Sequence, residues 1–480
     1  MLRILCFLFL VSGALRGQSD YQTAVDRFVQ APEFVHASVG VAIIDPDGNR
    51  LLAHHAANRS LLPASNLKVV TTATALQLLG PEHRFETQLQ LDGRVSTDGT
   101  LEGNLILVGG GDPVLGSDRL KTADNLETLL ARLTEAVRGR GIRRITGAVV
   151  GDDRYFGAAA VPHQWQWNDL GNYYAAGANG LNIHENLYYL DFQRGARTGS
   201  PTQVVGTRPN VPLQFRNEVT SAGPRSGDNA YIFGAPYTYT RTVRGTIPSG
   251  SGTFTVKGSL PDPPLFAAQL LTDHLRAAGI EVVASPSTSR YLELPAAFGE
   301  TIYVHQSPPL REIVERANLR SVNLYCEVLL LHIGRALNAG PDRADAVRAL
   351  QTYWTERGVD AEGWWQLDGS GLARANGITV RQIALILAKA TKDARTFPDF
   401  ETSLPLAGST GSLRRRMTGT TTRGRVRGKT GTLSRVRAYS GYFYPSPDRP
   451  IAYSIMLNNY TGSGGAARRR MEELLSALLR

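Results

Sequence analysis

A predicted β-hairpin that leads directly into a helix is the feature near the start of this chain that most constrains its fold. Residues 39–44 and 50–54 are short apolar runs, and the turn-forming sequence Asp-Pro-Asp-Gly-Asn separates them. This pattern predicts two antiparallel strands joined by a turn. Beyond them, apolar residues recur at helical spacing over 67–78, and a Gly-Pro pair at 80–81 ends the repeat. The sequence therefore predicts a helix directly after the hairpin.

Ser65 and Lys68 fall at the start of this predicted helix, three residues apart and therefore on one face. A hydroxyl beside an amine, in the positive potential of a helix N-terminus, is an activatable nucleophile. A Ser-x-x-Lys pattern alone is weak evidence, because it arises by chance in most chains this long. The alternative interpretation is a helix cap followed by a surface lysine.

The composition is that of a globular chain with a positive net charge. Of its 480 residues, 42% are hydrophobic and 20% are charged, and the formal net charge is +10. At roughly 150 residues per domain, about three domains are expected. The basic residues are scattered, and neither a zinc-finger spacing nor an aromatic-rich RNA-binding motif appears, so no nucleic acid is predicted as a partner. A basic surface facing an anionic polymer or a membrane explains the charge equally well.

The first residues, 1–17, have the pattern of a signal peptide. Arg3 precedes an apolar run over 4–10, and small residues follow it. This run is too short to span a membrane comfortably, and Cys6 lies inside it rather than at a lipoprotein attachment site. No later apolar segment is long enough to cross a bilayer. We therefore expect an exported, periplasmic protein in which Cys326 is the single remaining cysteine, so that no internal disulfide forms.

The character of the chain changes twice along its length. Residues from about 83 to 289 mix short β-like runs with amphipathic helices, whereas helices dominate after about 301. Three strands are predicted between 425 and 457, and an amphipathic helix follows at 466–479. Three arginines lie at the start of that final helix. We expect the helix to pack on the preceding strands, and peripheral contact with a membrane is the alternative.

Two further short motifs follow the Ser-x-x-Lys pattern along the chain. Ser321-Val322-Asn323 lies in a helical region, at a predicted break between two apolar stripes. Lys429-Thr430-Gly431 lies on a predicted strand that two more strands follow. Each motif is common by itself. The ordered set of a Ser-x-x-Lys helix, a Ser-x-Asn loop and a Lys-Thr-Gly strand is the motif set of penicillin-recognising serine enzymes.

With these motifs, the chain resembles the class C low-molecular-mass penicillin-binding proteins, the D-alanyl-D-alanine carboxypeptidase/endopeptidase family. That family carries a large insertion between the first two motifs, and a long segment likewise separates Ser65 from Ser321 here. Ala373 departs from the family, in which serine is common at this position. The resemblance runs from about residue 35 to 460. Its other matching stretches are Gly-Gly-Asp-Pro at 110–113, Trp-Gln-Trp-Asn-Asp at 165–169 with the tyrosine pair at 173–174, and Asp-Gly-Ser-Gly-Leu-Ala-Arg at 368–374.

The resemblance implies a fold class and a division of the chain. The expected class is α/β (α+β), with a β-lactamase/transpeptidase-like catalytic domain and a large mixed α/β insertion between the Ser-x-x-Lys and Ser-x-Asn motifs. The insertion is expected to hold two nested subdomains. The expected boundaries are 20–82 and 300–480 for the two parts of the catalytic domain, and 83–299 for the insertion.

The resemblance also assigns catalytic roles to the motif residues. Ser65 is the nucleophile that attacks a peptide carbonyl, and Lys68 accepts its proton. Lys68 can do so only if its pKa is lowered, as burial and the nearby cation Lys429 would do. Ser321 then relays the proton to the nitrogen of the leaving D-alanine, and Asn323 hydrogen-bonds the substrate amide.

A second set of residues is expected to bind the substrate around the scissile bond. Lys429 offers a positive charge to the terminal carboxylate, and Thr430 and Thr432 offer their hydroxyl groups. Gly431 lets the substrate lie close along the edge of the strand. By resemblance, the backbone N–H groups of Ser65 and Thr432 form the oxyanion hole, where each donor is worth roughly 3–4 kcal/mol in well-studied hydrolases.

Three more residues match a pocket for a substrate side chain. In relatives that cut diaminopimelate-containing peptidoglycan, an Asp and an aromatic residue from the insertion and an Arg from the Asp-Gly-Ser-Gly-Leu stretch hold that side chain. The matching positions here are Asp169, Tyr174 and Arg374. A structural salt bridge between Asp169 and Arg374 is the alternative. The histidines show no metal-ligand spacing, so neither a metal nor another cofactor is predicted.

The function implied by the resemblance is that of a penicillin-sensitive serine D-alanyl-D-alanine carboxypeptidase or DD-endopeptidase. Its expected partners are peptidoglycan peptides as substrates and β-lactams as covalent inhibitors. A serine β-lactamase is one alternative, but no Glu-x-x-Leu-Asn pattern follows Ser321 to supply a deacylating glutamate. A non-catalytic wall-binding or β-lactam-sensing protein is another, although a pure binder has no need of an activated nucleophile.

Overall fold

The computed structural model describes residues 20–157 and 159–480, so the predicted signal peptide at 1–17 lies outside the described residues. The chain divides into two compact units that each contain more than one segment. The first unit consists of residues up to Glu82, Leu310–Val322 and Leu329–Arg480, and the second consists of His83–Pro309 and Asn323–Val328.

Helices and strands occur along the whole described chain, with six consecutive strands, β8 to β13, in its middle and a run of helices after β16. The helices are α1 (20–29), α2 (Leu67–Leu79), α3 (Leu126–Gly139), α4 (Pro263–Ala277), α5 (Leu310–Arg320), α6 (Asn323–Ala336), α7 (Arg343–Thr355), α8 (Val380–Ala390), α9 (Phe397–Ser403) and α10 (Gly464–Ala477). The strands are β1 (Ser38–Asp45), β2 (Arg50–His55), β3 (Ser60–Leu61), β4 (Glu86–Val95), β5 (Thr100–Gly109), β6 (Arg144–Ile145), β7 (Val149–Asp152), β8 (Leu187–Gln193), β9 (Gln203–Arg208), β10 (Gln214–Ala222), β11 (Asn229–Phe233), β12 (Thr240–Pro248), β13 (Thr253–Ser259), β14 (Glu281–Val282), β15 (Ser287–Thr288), β16 (Thr301–Gln306), β17 (Ile378–Thr379), β18 (Val426–Leu433), β19 (Val436–Phe443) and β20 (Ile451–Asn458).

A five-stranded antiparallel sheet in the order β18-β19-β20-β1-β2 forms the centre of the first unit. The predicted hairpin is confirmed, because β1 and β2 pair with Asp45 opposite Arg50 at the turn. The helix predicted after it is also confirmed as α2, which ends at Gly80 with a φ of 88°. Glycine suits this position because a side chain strains the backbone at positive φ.

Helices cover both faces of this sheet, which explains why β1, β19 and β20 are buried along almost their whole length. On one face, Val41 and Ile455 join a cluster with Phe28 of α1 and Met471 of α10. On the other face α8 contacts β1, β19 and β20. Since Met471 and its apolar neighbours are buried, the prediction that the final helix packs on the preceding strands is confirmed.

The second unit is built on three sheets. Its largest contains β14, β6, β5, β4 and β16 in order, with β7 and β15 attached, and α4 packs against β7 and β15. Two smaller sheets have the orders β13-β8-β9 and β10-β12-β11. The unit extends to Pro309 because β16 pairs with β4, with Gln306 opposite Glu86. Within the described ranges, the helices are all too short or too polar to cross a membrane.

Candidate active site

Ser65 lies in a tight turn whose position is fixed from both sides. The turn is a single 3-10 segment, Ala64–Asn66, placed immediately before α2, so Ser65 precedes the regular helix rather than belonging to it. Leu62 exchanges two hydrogen bonds with the side chain of Asn458 on β20, at 2.8 and 3.1 Å. The Asn66 amide donates to Ser440 Oγ on β19 at 2.7 Å. These contacts tie the start of α2 to the central sheet.

Lys68 is fully buried and lies next to the Ser65 hydroxyl. Its Nζ is 3.1 Å from Ser65 Oγ and donates to the backbone carbonyl of Ser370 at 2.7 Å. Lys68 has no exposed surface, and Ser65 is half-buried. The structure therefore places the Lys68 amine in hydrogen-bond contact with the Ser65 hydroxyl.

The Asp368 carboxylate supports the carbonyl that contacts Lys68. It accepts hydrogen bonds from the backbone N–H groups of Gly371 at 2.8 Å and Ala373 at 2.6 Å, and from the Asn376 amide at 2.8 Å. Asp368 is completely buried. Gly371 has a φ of 80° and lies against the backbone oxygen of Ala64. The Asp-Gly-Ser-Gly turn is therefore held against the Ser65 turn, where the Ser370 carbonyl reaches Lys68.

Ser321 occupies the break between α5 and α6, as the sequence predicted. Its φ of 57° ends one helix, and the next begins at Asn323. Lys429 on β18 donates to Ser321 Oγ at 3.0 Å and to the backbone carbonyl of Thr430 at 2.8 Å. Lys429 is fully buried like Lys68. The structure thus brings together the second lysine and the second serine of the predicted set.

Strand β18 passes beside the Ser65 turn. A Cβ atom added at Gly431 would lie 2.7 Å from the backbone oxygen of Pro63 and 3.2 Å from the Ala64 Cβ, so only glycine fits there without a shift. Lys429 and Gly431 point to the same face of the strand, because side chains alternate along it. The Ser65–Lys68 pair and the Lys429–Ser321 pair thus belong to adjoining parts of the first unit.

Thr430 and Thr432 occupy β18 on either side of Gly431. The Thr430 hydroxyl donates to Ser412 Oγ at 2.9 Å, and Thr432 is exposed. β18 is also the terminal strand of the sheet order. Its first residues pair with the segment around Leu406, since Gly428 donates to the Pro405 carbonyl.

Asp169, Tyr174 and Asn323 form a hydrogen-bonded group within the second unit. The Tyr174 hydroxyl donates to Asp169 Oδ1 at 3.0 Å, and the Asn323 amide donates to the Tyr174 backbone carbonyl at 2.7 Å. Burial, together with the Asp169 charge, raises the pKa of Tyr174, so its hydroxyl remains a donor. The first turn of α6 is fixed in the same unit, because Tyr325 donates to Glu185 at 2.9 Å. Arg374 belongs to the first unit and is exposed.

The sequence profile of the D-Ala-D-Ala carboxypeptidase 3 (S13) family matches residues 21–478. This chain belongs to that family. It is 29% identical over 460 residues to a D-alanyl-D-alanine carboxypeptidase from Actinomadura sp., covering 92% of this chain and 82% of the relative. Membership confirms the predicted family and makes the chain a serine hydrolase of the D-Ala-D-Ala carboxypeptidase type, so the β-lactamase alternative is disfavoured.

Solved structures of similar proteins share the fold of this S13 peptidase. Penicillin-binding protein 4 from Haemophilus influenzae superposes with a TM-score of 0.79 at 22% identity, over 94% of this chain and 97% of that one. The same protein complexed with a β-lactam gives 0.74 at 21% identity, over the same shares. A predatory peptidoglycan endopeptidase from Bdellovibrio bacteriovorus gives 0.51 at 14% identity, over 92% of each chain. The predicted α/β penicillin-binding fold is confirmed.

Sequence reasoning missed several residues that shape this S13 site. In the stretch 368–374 the resemblance assigns a role only to Arg374, and it predicts none for the Ser370 carbonyl or the Asp368 carboxylate. The repeated Gly residues around Ser370 were the available signal, because they permit a tight turn close to another backbone. The contact of Ser412 with Thr430 had no signal in the sequence.

Replacing Lys429 by alanine is expected to weaken both peptide hydrolysis and penicillin acylation. Both compounds carry a carboxylate, and a hydrogen bond to a charged group is worth roughly 1.5–3 kcal/mol, or about ten- to a hundredfold in kcat/KM. Steady-state hydrolysis and the rate of penicillin labelling measure this. Lys392→Ala, at an exposed lysine paired with Asp47, is the surface control, and the Tm of both variants shows whether loss of the buried Lys429 side chain has unfolded the protein. Unchanged rates in Lys429→Ala would exclude the Lys-Thr-Gly strand from the substrate site.

Proposed function

We propose that this chain is an exported DD-peptidase that acts on peptidoglycan through an acyl-enzyme on Ser65. The proposed substrates are the D-Ala-D-Ala end of the stem peptide and the D-Ala-diaminopimelate cross-link. The observation that carries the proposal is the fully buried Lys68 amine, 3.1 Å from the half-buried Ser65 hydroxyl. A helix cap followed by a surface lysine, the alternative interpretation, does not describe this pair.

The proposed first step is nucleophilic attack. Ser65 Oγ bonds to the carbonyl carbon of the penultimate D-alanine, and Lys68 Nζ takes up its proton. The Ser370 carbonyl, 2.7 Å from Lys68, orients the amine toward Ser65. Backbone N–H groups of Ser65 and Thr432 are proposed to stabilise the oxyanion, and the close fit of Gly431 to Pro63 supports this placement.

The proposed second step is departure of the leaving amine. The C–N bond breaks, and the nitrogen needs a proton, which Ser321 supplies as Lys68 returns the proton that it holds. Ser321 Oγ accepts a hydrogen bond from Lys429. The hydroxyl hydrogen of Ser321 can therefore be donated to another acceptor, such as the leaving nitrogen. Water then attacks the ester carbonyl carbon, the bond from that carbon to Ser65 Oγ breaks, and a proton from the water restores the Ser65 hydroxyl as the shortened peptide leaves with a new carboxylate.

Substrate binding is proposed to occur along the edge of β18. The segment around Leu406 pairs with the start of this strand at Arg427, and Lys429 lies further along the same strand. An extended peptide that adds to this edge would receive backbone hydrogen bonds and would direct its carboxylate toward Lys429 and Thr430. Asn323 is proposed to hydrogen-bond the substrate amide.

We further propose that the first unit is the catalytic domain, and that Asp169 and Tyr174 bind the substrate side chain, as the family resemblance implies. Arg374 is proposed to bind the carboxylate of diaminopimelate, while Asp169 binds its amine. β-Lactams are proposed to acylate Ser65, which fits the β-lactam complex of the Haemophilus influenzae relative. A periplasmic location is proposed from the signal-peptide pattern of residues 1–17.

Digestion of intact muropeptides tests the proposal directly. Purified protein should release D-alanine from pentapeptide monomers or convert cross-linked dimers to monomers, and mass spectrometry of the products distinguishes the two activities. Pretreatment with penicillin should abolish both. If neither product forms under conditions in which Ser65 is acylated by penicillin, the peptidoglycan substrate is wrong and a β-lactam-sensing protein is favoured.

Arg374→Ala is expected to lower kcat/KM for diaminopimelate-containing peptides by about ten- to a hundredfold. The reason is the loss of a charge-assisted hydrogen bond to the side-chain carboxylate, worth roughly 1.5–3 kcal/mol. Penicillins lack this side chain and should acylate the variant at close to the normal rate. Arg381→Ala, at another exposed arginine of the first unit, serves as the control. Equal losses in the two rates, with a lowered Tm, would make Arg374 a scaffold residue.

A further inference from the structure

The β10-β12-β11 sheet of the second unit carries aromatic rings on its outer face. Along β11 the buried residues Ala230 and Ile232 alternate with Tyr231 and Phe233. Because side chains alternate across a strand, Tyr231 and Phe233 share the face that points away from the core. Tyr231 is 47% exposed.

Trp167 extends this aromatic surface. Its ring lies on that of Phe233, with the ring centres 4.8 Å apart and the planes tilted by 40°. Trp167 nevertheless remains 64% exposed. One face of the indole contacts Phe233 and most of the rest meets solvent, so that together with Tyr231 it offers a flat apolar surface to a ligand.

Charged side chains stand among these rings. Arg244 lies opposite Tyr231 in the strand register, and its guanidinium is 5.9 Å from the centre of the Phe233 ring. It donates to Glu218 at 2.6 Å, and Arg216 contacts the same carboxylate at 2.8 Å. The outer face therefore combines flat apolar rings with charged side chains, and the contacts of Arg244 and Arg216 with Glu218 fix the positions of these charged side chains.

This combination fits a saccharide better than a protein surface. A pyranose ring has apolar C–H faces that pack on an aromatic ring, and a rim of hydroxyl and amide groups that needs hydrogen-bond partners. The core of a protein–protein interface is instead depleted of charged residues, whereas Arg244 and Glu218 lie within this surface.

We propose that Trp167, Tyr231, Phe233 and Arg244, the Trp167 platform, bind the amino-sugar strand of peptidoglycan. The inference rests on the proposed function, in which Asp169 holds the stem peptide. Trp167 precedes Asp169 by two residues, so their Cα atoms lie at most about 7 Å apart. The stem peptide is covalently attached to the sugar strand, so a peptide held at Asp169 brings sugar rings close to the platform and raises their local concentration.

Hydrolysis of matched substrates with and without sugar tests the platform. The wild-type protein should cleave a disaccharide-linked stem peptide roughly tenfold more efficiently than the free peptide, which corresponds to about 1.4 kcal/mol. Trp167→Ala should remove this preference through KM and leave free-peptide hydrolysis and penicillin labelling unchanged. Trp365→Ala, at a tryptophan that is 67% exposed in the first unit, should retain the preference. Equal efficiencies for the two substrates in the wild-type protein would overturn the platform.

Direct binding separates this inference from the proposed activity. Peptide-free glycan chains should give saturable binding to the wild-type protein and about tenfold weaker binding, or about 1.4 kcal/mol, to Trp167→Ala, as measured by ligand-observed NMR. Tyr231→Ala should also weaken glycan binding, and this variant replaces Trp167→Ala in the test if Trp167→Ala does not fold. Glycan binding without peptide hydrolysis would leave the platform standing and refute the DD-peptidase proposal. Hydrolysis with no glycan binding, or with binding unaffected in both variants, would refute the platform alone.

Discussion

Ser65→Ala is expected to abolish covalent labelling of the protein by fluorescent penicillin. The lactam carbonyl mimics the carbonyl of D-Ala-D-Ala, and the acyl group is transferred to the oxygen of the nucleophile. Alanine at this position removes the only atom that accepts the acyl group, so the expected loss is complete. Labelling followed by gel fluorescence, and the mass increase of the intact protein, both measure it.

Ser96→Ala is the matched control for this experiment. Ser96 is also a half-buried serine in a turn, where its hydroxyl donates to the Thr100 carbonyl in the second unit. This variant should label like the wild-type protein. The Ser65 variant should also keep its Tm, because the turn is held by Leu62 and Asn66 rather than by the Ser65 side chain. Labelling of Ser65→Ala at the wild-type rate would show that another residue is the nucleophile.

The lifetime of the wild-type acyl-enzyme discriminates the peptidase from the β-lactamase alternative. A class A β-lactamase uses a glutamate to activate water for deacylation, and the corresponding Glu-x-x-Leu-Asn pattern does not follow Ser321. We therefore expect the penicilloyl group to persist for minutes or longer after excess penicillin is removed. Rapid turnover of penicillin would instead favour a β-lactamase.

Local sequence patterns predicted the elements that carry the site. The turn residues at 45–49 and the helical repeat over 67–78 are short-range signals, and the hairpin and α2 followed them. The break at Ser321 between two apolar stripes is equally local. Only the exact start of the helix differed, since Ser65 lies in a 3-10 turn before α2. Such end effects depend on contacts with Asn458 and Ser440, which the local pattern does not contain.

The contacts that position the reactive groups could not be predicted from the sequence. Lys68 binds a carbonyl that lies 302 positions away in the chain, and no local propensity predicts such a pairing. The support of that carbonyl by Asp368 likewise depends on how a buried turn packs against Ala64. Family resemblance identified Asp169 and Tyr174 together, but their mutual hydrogen bond is a property of the folded loop.

Lys68→Ala is expected to reduce acylation of Ser65 by roughly a thousandfold or more, within the range that a positioned general base contributes. Without the amine, no group is proposed to take the proton from Ser65 Oγ as it attacks the carbonyl. The rate of penicillin labelling at saturating penicillin isolates this chemical step. The double variant with Ser65→Ala should be no worse than Ser65→Ala alone, because the two residues act as one unit.

The variant Lys68→Arg tests whether Lys68 acts as a proton acceptor or only as a positive charge that holds the structure in place. A guanidinium keeps its charge at any pH that the protein tolerates, so it donates to the Ser370 carbonyl but cannot accept the Ser65 proton. We therefore expect Lys68→Arg to fold better than Lys68→Ala, with a Tm closer to that of the wild-type protein, and to remain as poorly acylated. If arginine instead restored labelling to within about tenfold of the wild-type rate, a loss of only about 1.4 kcal/mol, Lys68 would act by charge and position. The proton of Ser65 would then have to leave by another route, and the hydrogen bond from Lys429 to Ser321 would make Ser321 the residue to examine next.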